Sequence, residues 1–319
     1  MPRLSAIDIG TNTVLLCVAD LGPEGLRSLI DHPIISRLGE GLDGSGDLRP
    51  EAIERTIEAL RHHLDAAREA GAPGVVAVGT AALREARNAG LFIEEVKRRL
   101  GLEVEVISGE EEARLAFEAV ARALEEAHER LEGDLIVLDV GGGSTEFIQG
   151  AGRCTRSVRS LPVGSVRLTE RFFPDDPVKP PQLKALISHV REAFAALPTP
   201  SGSGFRMVGV AGTNTTLAAM KLCLRAYDAE AIRRTRLTRG DLDTLVATLA
   251  ARTTAQRRTL AGLEPGRADV ILAGAVIARE GMTRMGAREL HISDRGVRHG
   301  VIYRLAEKNR RSCRVSEMS

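Results

Sequence analysis

The same short pattern occurs twice in this chain of 319 residues, at two places far apart. The first copy spans residues 6–14 (Ala-Ile-Asp-Ile-Gly-Thr-Asn-Thr-Val), and the second spans residues 138–147 (Leu-Asp-Val-Gly-Gly-Gly-Ser-Thr-Glu-Phe). Each copy has an apolar run with one Asp, then a turn of Gly, Ser, Thr or Asn residues, and then a second apolar run. This order predicts a β-hairpin with a tight tip. Because the hairpin occurs twice, it also predicts that the second half of the chain is an elaborated repeat of the first.

The tips of the two hairpins carry groups that suit a phosphate chain. Glycine lets the backbone approach a phosphate closely, and successive backbone N–H groups in a turn bind anions. The candidate phosphate-binding residues are Gly10, Thr11, Asn12 and Thr13 at the first tip and Gly141, Gly142, Gly143, Ser144 and Thr145 at the second. The simpler alternative is that both tips are only turns built from turn-forming residues, and the repetition argues against it.

Asp8 and Asp139 occupy the same place in the two copies and are candidate metal ligands. Carboxylate oxygens suit Mg²⁺, which usually takes one or two carboxylates together with waters and phosphate oxygens. We therefore expect a Mg²⁺ or Mn²⁺ cofactor. Two such tips that face each other across a cleft would hold a phosphate chain and a divalent cation.

The composition excludes some classes of protein. No apolar run reaches the ~18 residues that a membrane span needs. The sequence begins with a strand-like run, so we expect no signal peptide. The four cysteines are scattered and show no metal-ligand spacing, which predicts free thiols in a cytoplasmic protein. Aromatic residues make up only 3% of the chain and Trp is absent, which argues against a nucleic-acid partner bound by base stacking.

Charge is distributed unevenly, although the net charge is only +1. Residues 1–122 are acidic overall and residues 123–319 are basic. A basic second half suits a polyanionic ligand, and a merely solvated basic surface is the alternative.

The order of predicted elements is that of an α/β protein. We expect strands at 5–20 (a hairpin), 29–35, 74–79, 103–107, 135–151 (a hairpin), 206–211 and 289–292. We expect helices at 50–70, 91–100, 109–130, 161–172, 182–197, 212–261 (several helices), 269–280 and 297–308. This organisation divides the chain into a first domain at 1–122, a second at 123–309 and a polar tail at 310–319. In an alternative that the pattern leaves open, the C-terminal helix packs back on the first domain and makes that domain discontinuous.

The two hairpins resemble those of the exopolyphosphatase/guanosine-pentaphosphatase (Ppx/GppA) family. The resemblance continues in residues 79–84 (Gly-Thr-Ala-Ala-Leu-Arg), 107–114 (Ile-Ser-Gly-Glu-Glu-Glu-Ala-Arg), 210–213 (Val-Ala-Gly-Thr) and 293–300 (Ser-Asp-Arg-Gly-Val-Arg-His-Gly). It covers nearly the whole chain and implies two duplicated actin-like (RNase H-like) domains with an interdomain cleft. The chain is similar to the short, two-domain form of that family.

Glu112 matches the catalytic glutamate of the family by position and is the candidate general base. Ser108 and Glu111 fit a capping box at the start of a helix, and helix-start chemistry is the alternative explanation for the glutamates. Arg84 is the second catalytic candidate, because a planar guanidinium suits two contacts to a phosphate. The alternative for Arg84 is a surface arginine at a helix start.

Three further candidates lie in the second half. Glu146 is a candidate metal ligand, or else an outward-facing strand residue. Gly212 and Thr213 lie where a strand ends and a helix begins. The free N–H groups of that helix start would bind a further phosphate. In the alternative, Thr213 serves only as the helix cap. Arg267 is a candidate contact to phosphates further along the chain, and so are Arg257 and Arg258. The alternative is that these arginines are ordinary surface charges.

The resemblance implies Mg²⁺-dependent hydrolysis of the terminal phosphoanhydride of inorganic polyphosphate, with release of orthophosphate. Guanosine pentaphosphate ends in the same kind of bond and is the nearest alternative substrate. A polyphosphate or nucleotide phosphotransferase and a non-catalytic sensor are further alternatives, and a candidate base at position 112 argues against both. A homodimer would lengthen the basic surface, although the sequence shows no interface pattern.

Overall fold

A computed structural model describes residues 3–129, 133–200 and 204–316. The chain forms two compact units, one of Met1–Glu129 with Arg295–Ser319 and the other of Arg130–Asp294. Each unit contains one β-sheet with helices packed on it.

The strands, in chain order, are β1 Arg3–Ile9, β2 Thr13–Gly22, β3 Gly25–Ile35, β4 Val76–Gly79, β5 Val104–Val106, β6 Asp134–Val140, β7 Thr145–Ala151, β8 Cys154–Leu161, β9 Phe205–Val210, β10 Arg236–Thr238 and β11 Glu289–Ile292.

The helices are α1 Leu42–Ser45, α2 Pro50–Glu69, α3 Ala81–Glu85, α4 Ala89–Leu100, α5 Gly109–Glu126, α6 Ser165–Phe172, α7 Pro180–Phe194, α8 Ala211–Lys221, α9 Ala229–Arg234, α10 Arg239–Ala250, α11 Thr254–Arg257, α12 Ile271–Met285 and α13 Val297–Ser316, with a 3₁₀ turn at Pro265–Arg267.

The two sheets have the same core order, which confirms the predicted duplication and the α/β class. The order is β3-β2-β1-β4-β5 in the first unit and β8-β7-β6-β9-β11 in the second, where β10 is added at the edge. In each sheet the first three strands form an antiparallel meander, and the strand next to it runs parallel. The carboxyl ends of the parallel strands therefore meet at one edge of each sheet.

Alternating side chains build the core of the first unit. Ile7 and Ile9 of β1 lie on one face of the sheet and pack against Ile57 and Leu60, which share one face of α2. Pro50 starts α2, where its missing N–H costs no hydrogen bond. Asp8 lies between the two isoleucines along β1, so its side chain points to the other face of the sheet.

The domain boundaries differ from those predicted. The first unit continues to Glu129 and resumes at Arg295, so α13 belongs to it and not to the second domain. The physical reason is that α13 packs against α5 and β1. The first domain is therefore discontinuous, which is the alternative that the sequence pattern leaves open. The predicted polar tail is helical as far as Ser316, and residues 317–319 lie outside the described part of the chain.

Within the described residues, no helix combines the length and apolar character needed to cross a membrane.

Candidate active site

The two hairpin tips have the same backbone hydrogen bond. The N–H of Gly10 donates to the carbonyl of Thr13 at 3.0 Å, and the N–H of Gly141 donates to the carbonyl of Ser144 at 3.0 Å. Each Asp of the repeated pattern stands two residues before the glycine, at the end of its strand. The repeated sequence pattern thus corresponds to a repeated turn.

The segment after β3 supports the first tip. The N–H groups of Arg37 and Gly39 donate to the carbonyls of Asn12 and Thr11, at 3.0 and 2.9 Å. The methyl group of Thr11 fills the space beside Gly39, where a Cβ would collide with it. These hydrogen bonds from a separate segment therefore fix the backbone carbonyls of the first tip.

The segment after β8 supports the second tip in the same way. The N–H groups of Ser165 and Val166 each donate at 2.9 Å, to the carbonyls of Gly141 and Gly142 respectively. Gly164 lies so close to the tip that a Cβ would collide with the backbone of Gly142. The structure thus adds a bracing segment to each hairpin that the sequence pattern alone does not reveal.

Two side chains at the first hairpin are buried without hydrogen-bond partners among the described residues. They are Asp8, through its Oδ1, and Asn12, through both atoms of its amide. Asp8 is only 8% exposed and Asn12 only 6%. Buried polar atoms are nearly always paired, and leaving one unpaired costs about 1–3 kcal/mol. This cost is characteristic of a site prepared for a ligand, as the sequence predicts for both residues.

Glu112 and Arg84 form an ion pair close to Asp8. Arg84 Nη1 lies 2.6 Å from Glu112 Oε2 and also donates to the carbonyl of Ile107 at 3.1 Å. The three side chains come from the carboxyl ends of β1, β4 and β5, because α3 follows β4 and α5 follows β5. The structure thus brings together both catalytic candidates and one metal candidate.

Burial changes the acidity of both carboxyl groups. It raises the pKa of Asp8 to about 7, an effect that the nearby charge of Glu112 increases and the charges of Arg298 and Arg84 oppose. Burial also raises the pKa of Glu112, and the ion pair with Arg84 acts in the opposite direction. A carboxylate with a raised pKa is a stronger base than one in water.

The start of α5 confirms one part of the predicted capping box. The N–H of Glu111 donates to the hydroxyl of Ser108 at 3.1 Å, so Ser108 is the N-cap. The Glu111 carboxylate pairs with Arg114 at 2.8 Å. The Glu111 carboxylate also accepts a hydrogen bond from Arg304 of α13 at 3.3 Å, so it binds two arginines, whereas Glu112 faces Arg84.

In the second unit, Asp139 and Glu146 stand directly opposite each other on β6 and β7. Side chains at opposed positions of antiparallel strands point to the same face, with Cβ atoms about 4.5–5.5 Å apart. Glu146 is 2% exposed and accepts a hydrogen bond from the hydroxyl of Ser160 at 2.7 Å. Glu146 is therefore a buried neighbour of Asp139, not an outward-facing strand residue.

Two predicted phosphate-binding threonines have their side chains engaged inside the second unit. The Thr145 hydroxyl is buried and donates to the carbonyl of Val163. The methyl group of Thr213 packs against Gly274 of α12. The Thr145 hydroxyl and the Thr213 methyl group thus hold their loops in place, and the phosphate-binding role of both residues stays a prediction.

Gly212 and Arg267 lie against each other, although they are 55 positions apart. A Cβ on Gly212 would collide with the Arg267 guanidinium, which is itself buried. Ala211, just before, has a φ of 65°, a left-handed conformation that costs a non-glycine residue about 1–2 kcal/mol. The first turn of α8 and a buried cation thus form one corner, and phosphate binding there stays a prediction.

Arg257 does not follow a phosphate chain. Its side chain is 1% exposed, and its Nε donates to the carbonyl of Leu249 at 2.8 Å. This correction has a simple cause, because the arginine closes the carboxyl end of α10 inside the second unit.

A cluster that the sequence pattern does not identify lies in the first unit. Arg298 of α13 donates two hydrogen bonds to Asp31 of β3, at 2.7 and 2.9 Å, and His299 Nε2 lies 3.3 Å from Asp31. Although burial alone would raise it, the pKa of Asp31 is held below its usual range by these two partners. The positive charge of Arg298 also reaches Asp8. The only sequence signal for this cluster is the family resemblance of residues 293–300.

The carboxylates suit a cation that is shared with a phosphate. Among the described residues, no group of three or more His, Cys, Asp or Glu side chains is arranged to hold a metal ion by itself. Mg²⁺ takes one or two carboxylates beside water and phosphate oxygens. In the first unit the buried, unpartnered Oδ1 of Asp8 fits this requirement, and in the second unit the facing pair of Asp139 and Glu146 does so.

Comparison with known proteins gives a consistent result. The Ppx/GppA phosphatase family matches residues 17–309. Exopolyphosphatase 2 of Mycobacterium tuberculosis is 36% identical over 96% of this chain and 99% of its own length. A crystal structure of a Ppx/GppA family member from Aquifex aeolicus is 35% identical and covers 97% of this chain and 98% of that one, with a TM-score of 0.80.

An exopolyphosphatase from Cytophaga hutchinsonii, 26% identical, matches 96% of this chain and 98% of its own with a TM-score of 0.83. These relatives confirm the predicted fold and the predicted enzyme class, a hydrolase of phosphoanhydrides. The chain belongs to the Ppx/GppA phosphatase family.

Proposed function

We propose that this protein is an exopolyphosphatase, which removes terminal orthophosphate from inorganic polyphosphate by attack of water. The observation that carries the proposal is the buried pair of Glu112 and Arg84 beside Asp8. The names of the relatives from Mycobacterium tuberculosis and Cytophaga hutchinsonii support the choice of substrate.

Glu112 is the general base in this proposal. Its raised pKa lets it accept a proton from the attacking water, and the ion pair with Arg84 fixes the direction of its carboxylate. The transition state of phosphoryl transfer is loose, so orientation of the water contributes more than covalent chemistry. Arg84 also places a positive charge where the terminal phosphate gains negative charge.

The backbone N–H groups and glycines of the tips bind the phosphate chain. At the first tip, the unpartnered amide of Asn12 supplies a further donor and acceptor. The second unit has a further candidate phosphate-binding corner, formed by the N-terminus of α8 and Arg267.

A divalent cation would neutralise phosphate charge and polarise the scissile bond. Each unit offers its own candidate ligands, which are Asp8 in the first unit and the pair of Asp139 and Glu146 in the second. We expect Mg²⁺ or Mn²⁺, because these residues present only hard oxygen ligands.

Phosphate release from long-chain polyphosphate, guanosine pentaphosphate and ATP, each with Mg²⁺, tests this function. Polyphosphate is expected to be the best substrate, and Glu112→Gln is expected to lower kcat by 10²-fold or more while substrate binding stays within about threefold. Glu110→Gln is the matched control, because Glu110 is exposed in the same helical turn. It is expected to keep wild-type activity.

Full activity of Glu112→Gln would contradict the assignment of the base. A clear preference for guanosine pentaphosphate would show that this compound is the main substrate of the same hydrolysis reaction. Absence of phosphate release from all three compounds would contradict the proposed function itself.

A further inference from the structure

Three polar side chains form a row across the second sheet. Asp139 stands opposite Glu146 on the neighbouring strand, and Glu146 stands opposite Ser160 on the strand after it. Opposed positions point to the same face, so the row runs along one face from β6 through β7 to β8. The row lies at the end of the sheet where the second hairpin turns.

The middle member of the row is held from one side by a hydrogen bond. The Ser160 hydroxyl donates to Glu146 Oε1 at 2.7 Å, the length of a strong bond to a charged acceptor. The terminal torsion of a glutamate is soft, so its carboxylate plane is poorly fixed by rotamer preference alone. The bond from Ser160 therefore sets how Glu146 presents its carboxylate beside Asp139.

We propose that Ser160 is a positioning residue, which orients Glu146 for a divalent cation bound at the Asp139–Glu146 pair. This inference rests on the proposed function, in which these carboxylates hold the cation. Partners that orient metal-binding carboxylates often change metal affinity or activity by 10–100-fold when they are removed.

The surroundings of Ser160 separate this role from a structural one. Ser160 is exposed on β8, an edge strand whose backbone is paired with β7 independently of the side chain. Removal of the hydroxyl takes one hydrogen bond from the buried carboxylate of Glu146, which costs about 1–3 kcal/mol of stability. Mn²⁺ binding is therefore measured well below the unfolding midpoint, where Ser160→Ala is folded and weaker binding does not follow from unfolding.

The test measures Mn²⁺ binding to the full-length protein by electron paramagnetic resonance, in wild type, Ser160→Ala, Ser160→Thr, Ser157→Ala and Glu146→Gln. We expect Ser160→Ala to weaken Mn²⁺ binding about tenfold, at a temperature where circular dichroism shows that the variant is folded. Ser160→Thr keeps the hydroxyl and is expected to bind within threefold of wild type. Ser157 lies on the other face of the same strand, opposite Gln149, and Ser157→Ala is expected to bind like wild type.

Each outcome bears on a different statement. Equal Mn²⁺ affinity in wild type and Ser160→Ala, together with loss of binding in Glu146→Gln, would overturn the role of Ser160 and leave the cation site intact. Absence of Mn²⁺ binding by wild type, or full binding by Glu146→Gln, would overturn the cation site and the inference with it. If Ser157→Ala weakens Mn²⁺ binding as much as Ser160→Ala does, the role of Ser160 would also be overturned.

Discussion

Asp8 shows at the scale of one residue how the site costs stability. The carboxyl group is buried, its Oδ1 has no partner among the described residues, and its pKa is about 7 where the ordinary value is 3.8. A carboxyl group whose pKa is higher in the folded than in the unfolded state favours folding at pH values below both of these pKa values. That contribution is lost as the pH rises through 7. Ionised Asp8 is therefore unfavourable in the folded protein without a cation or ligand.

Asp8→Asn is expected to stabilise the protein and to abolish phosphate release. Asparagine is neutral at every pH, so the free energy of unfolding at pH 8 in EDTA should rise by roughly 2–4 kcal/mol. The gain should shrink towards zero as the pH is lowered to 4. Urea unfolding at a series of pH values measures this gain in stability. Asp65→Asn is the control, because Asp65 is exposed. Destabilisation by Asp8→Asn at pH 8 would contradict the account of this carboxyl group.

The residues that the sequence predicts best are those with a local signal. Asp8 follows an apolar strand pattern, and Glu112 follows a helix cap, so both can be placed from their neighbours along the chain. Asp31 and Arg298 are separated by 267 positions, and nothing near either residue indicates its partner. Their pairing depends on how α13 packs, which local patterns do not determine.

At the scale of elements, the contact between α13 and α5 sets the relative positions of Glu112 and Arg298. Gly300 of α13 lies against the backbone carbonyl of Leu115 on α5. Leu115 is one helical turn beyond Glu112, and Arg298 is two residues before Gly300. The contact therefore fixes the two helix starts that carry Glu112 and Arg298 relative to each other.

Gly300→Ala is expected to disturb this crossing. Its methyl group would collide with main-chain atoms that cannot rotate away, so the free energy of unfolding should fall by about 1–3 kcal/mol and kcat should fall with it. Gly90→Ala is the matched control, because Gly90 is a helical glycine with no neighbouring atom within 4 Å. It should be neutral or stabilising by up to about 1 kcal/mol. Equal stability of the two variants, measured by chemical denaturation, would contradict the close crossing.

Two strands escape prediction for a physical reason. β8 alternates irregularly between exposed and half-buried residues, because it is an edge strand that pairs on one side only. β10 has three residues and lies between two helices, so it is too short for a period to be recognised. In both cases the neighbouring strand supplies the hydrogen bonds, and the segment itself carries little β pattern.

At the scale of the whole molecule, one fold occurs twice with different chemistry at each hairpin. In the first unit Asp8 stands opposite Leu15, whereas in the second Asp139 stands opposite Glu146. The first unit also supplies Glu112 and Arg84, and the second supplies Arg267 at the start of α8. The duplication explains the repeated turns and the bracing segment beside each of them, and the residues that differ show that the two hairpins are not chemically equivalent.

The central claim is that water attacks the terminal phosphorus of a phosphate chain. Hydrolysis of polyphosphate in H₂¹⁸O, followed by mass spectrometry of the released orthophosphate, tests it most directly. We expect one ¹⁸O atom in each released phosphate, and loss of release in Glu112→Gln. Unlabelled orthophosphate, with ¹⁸O in the remaining chain or phosphate passed to an added acceptor, would contradict it.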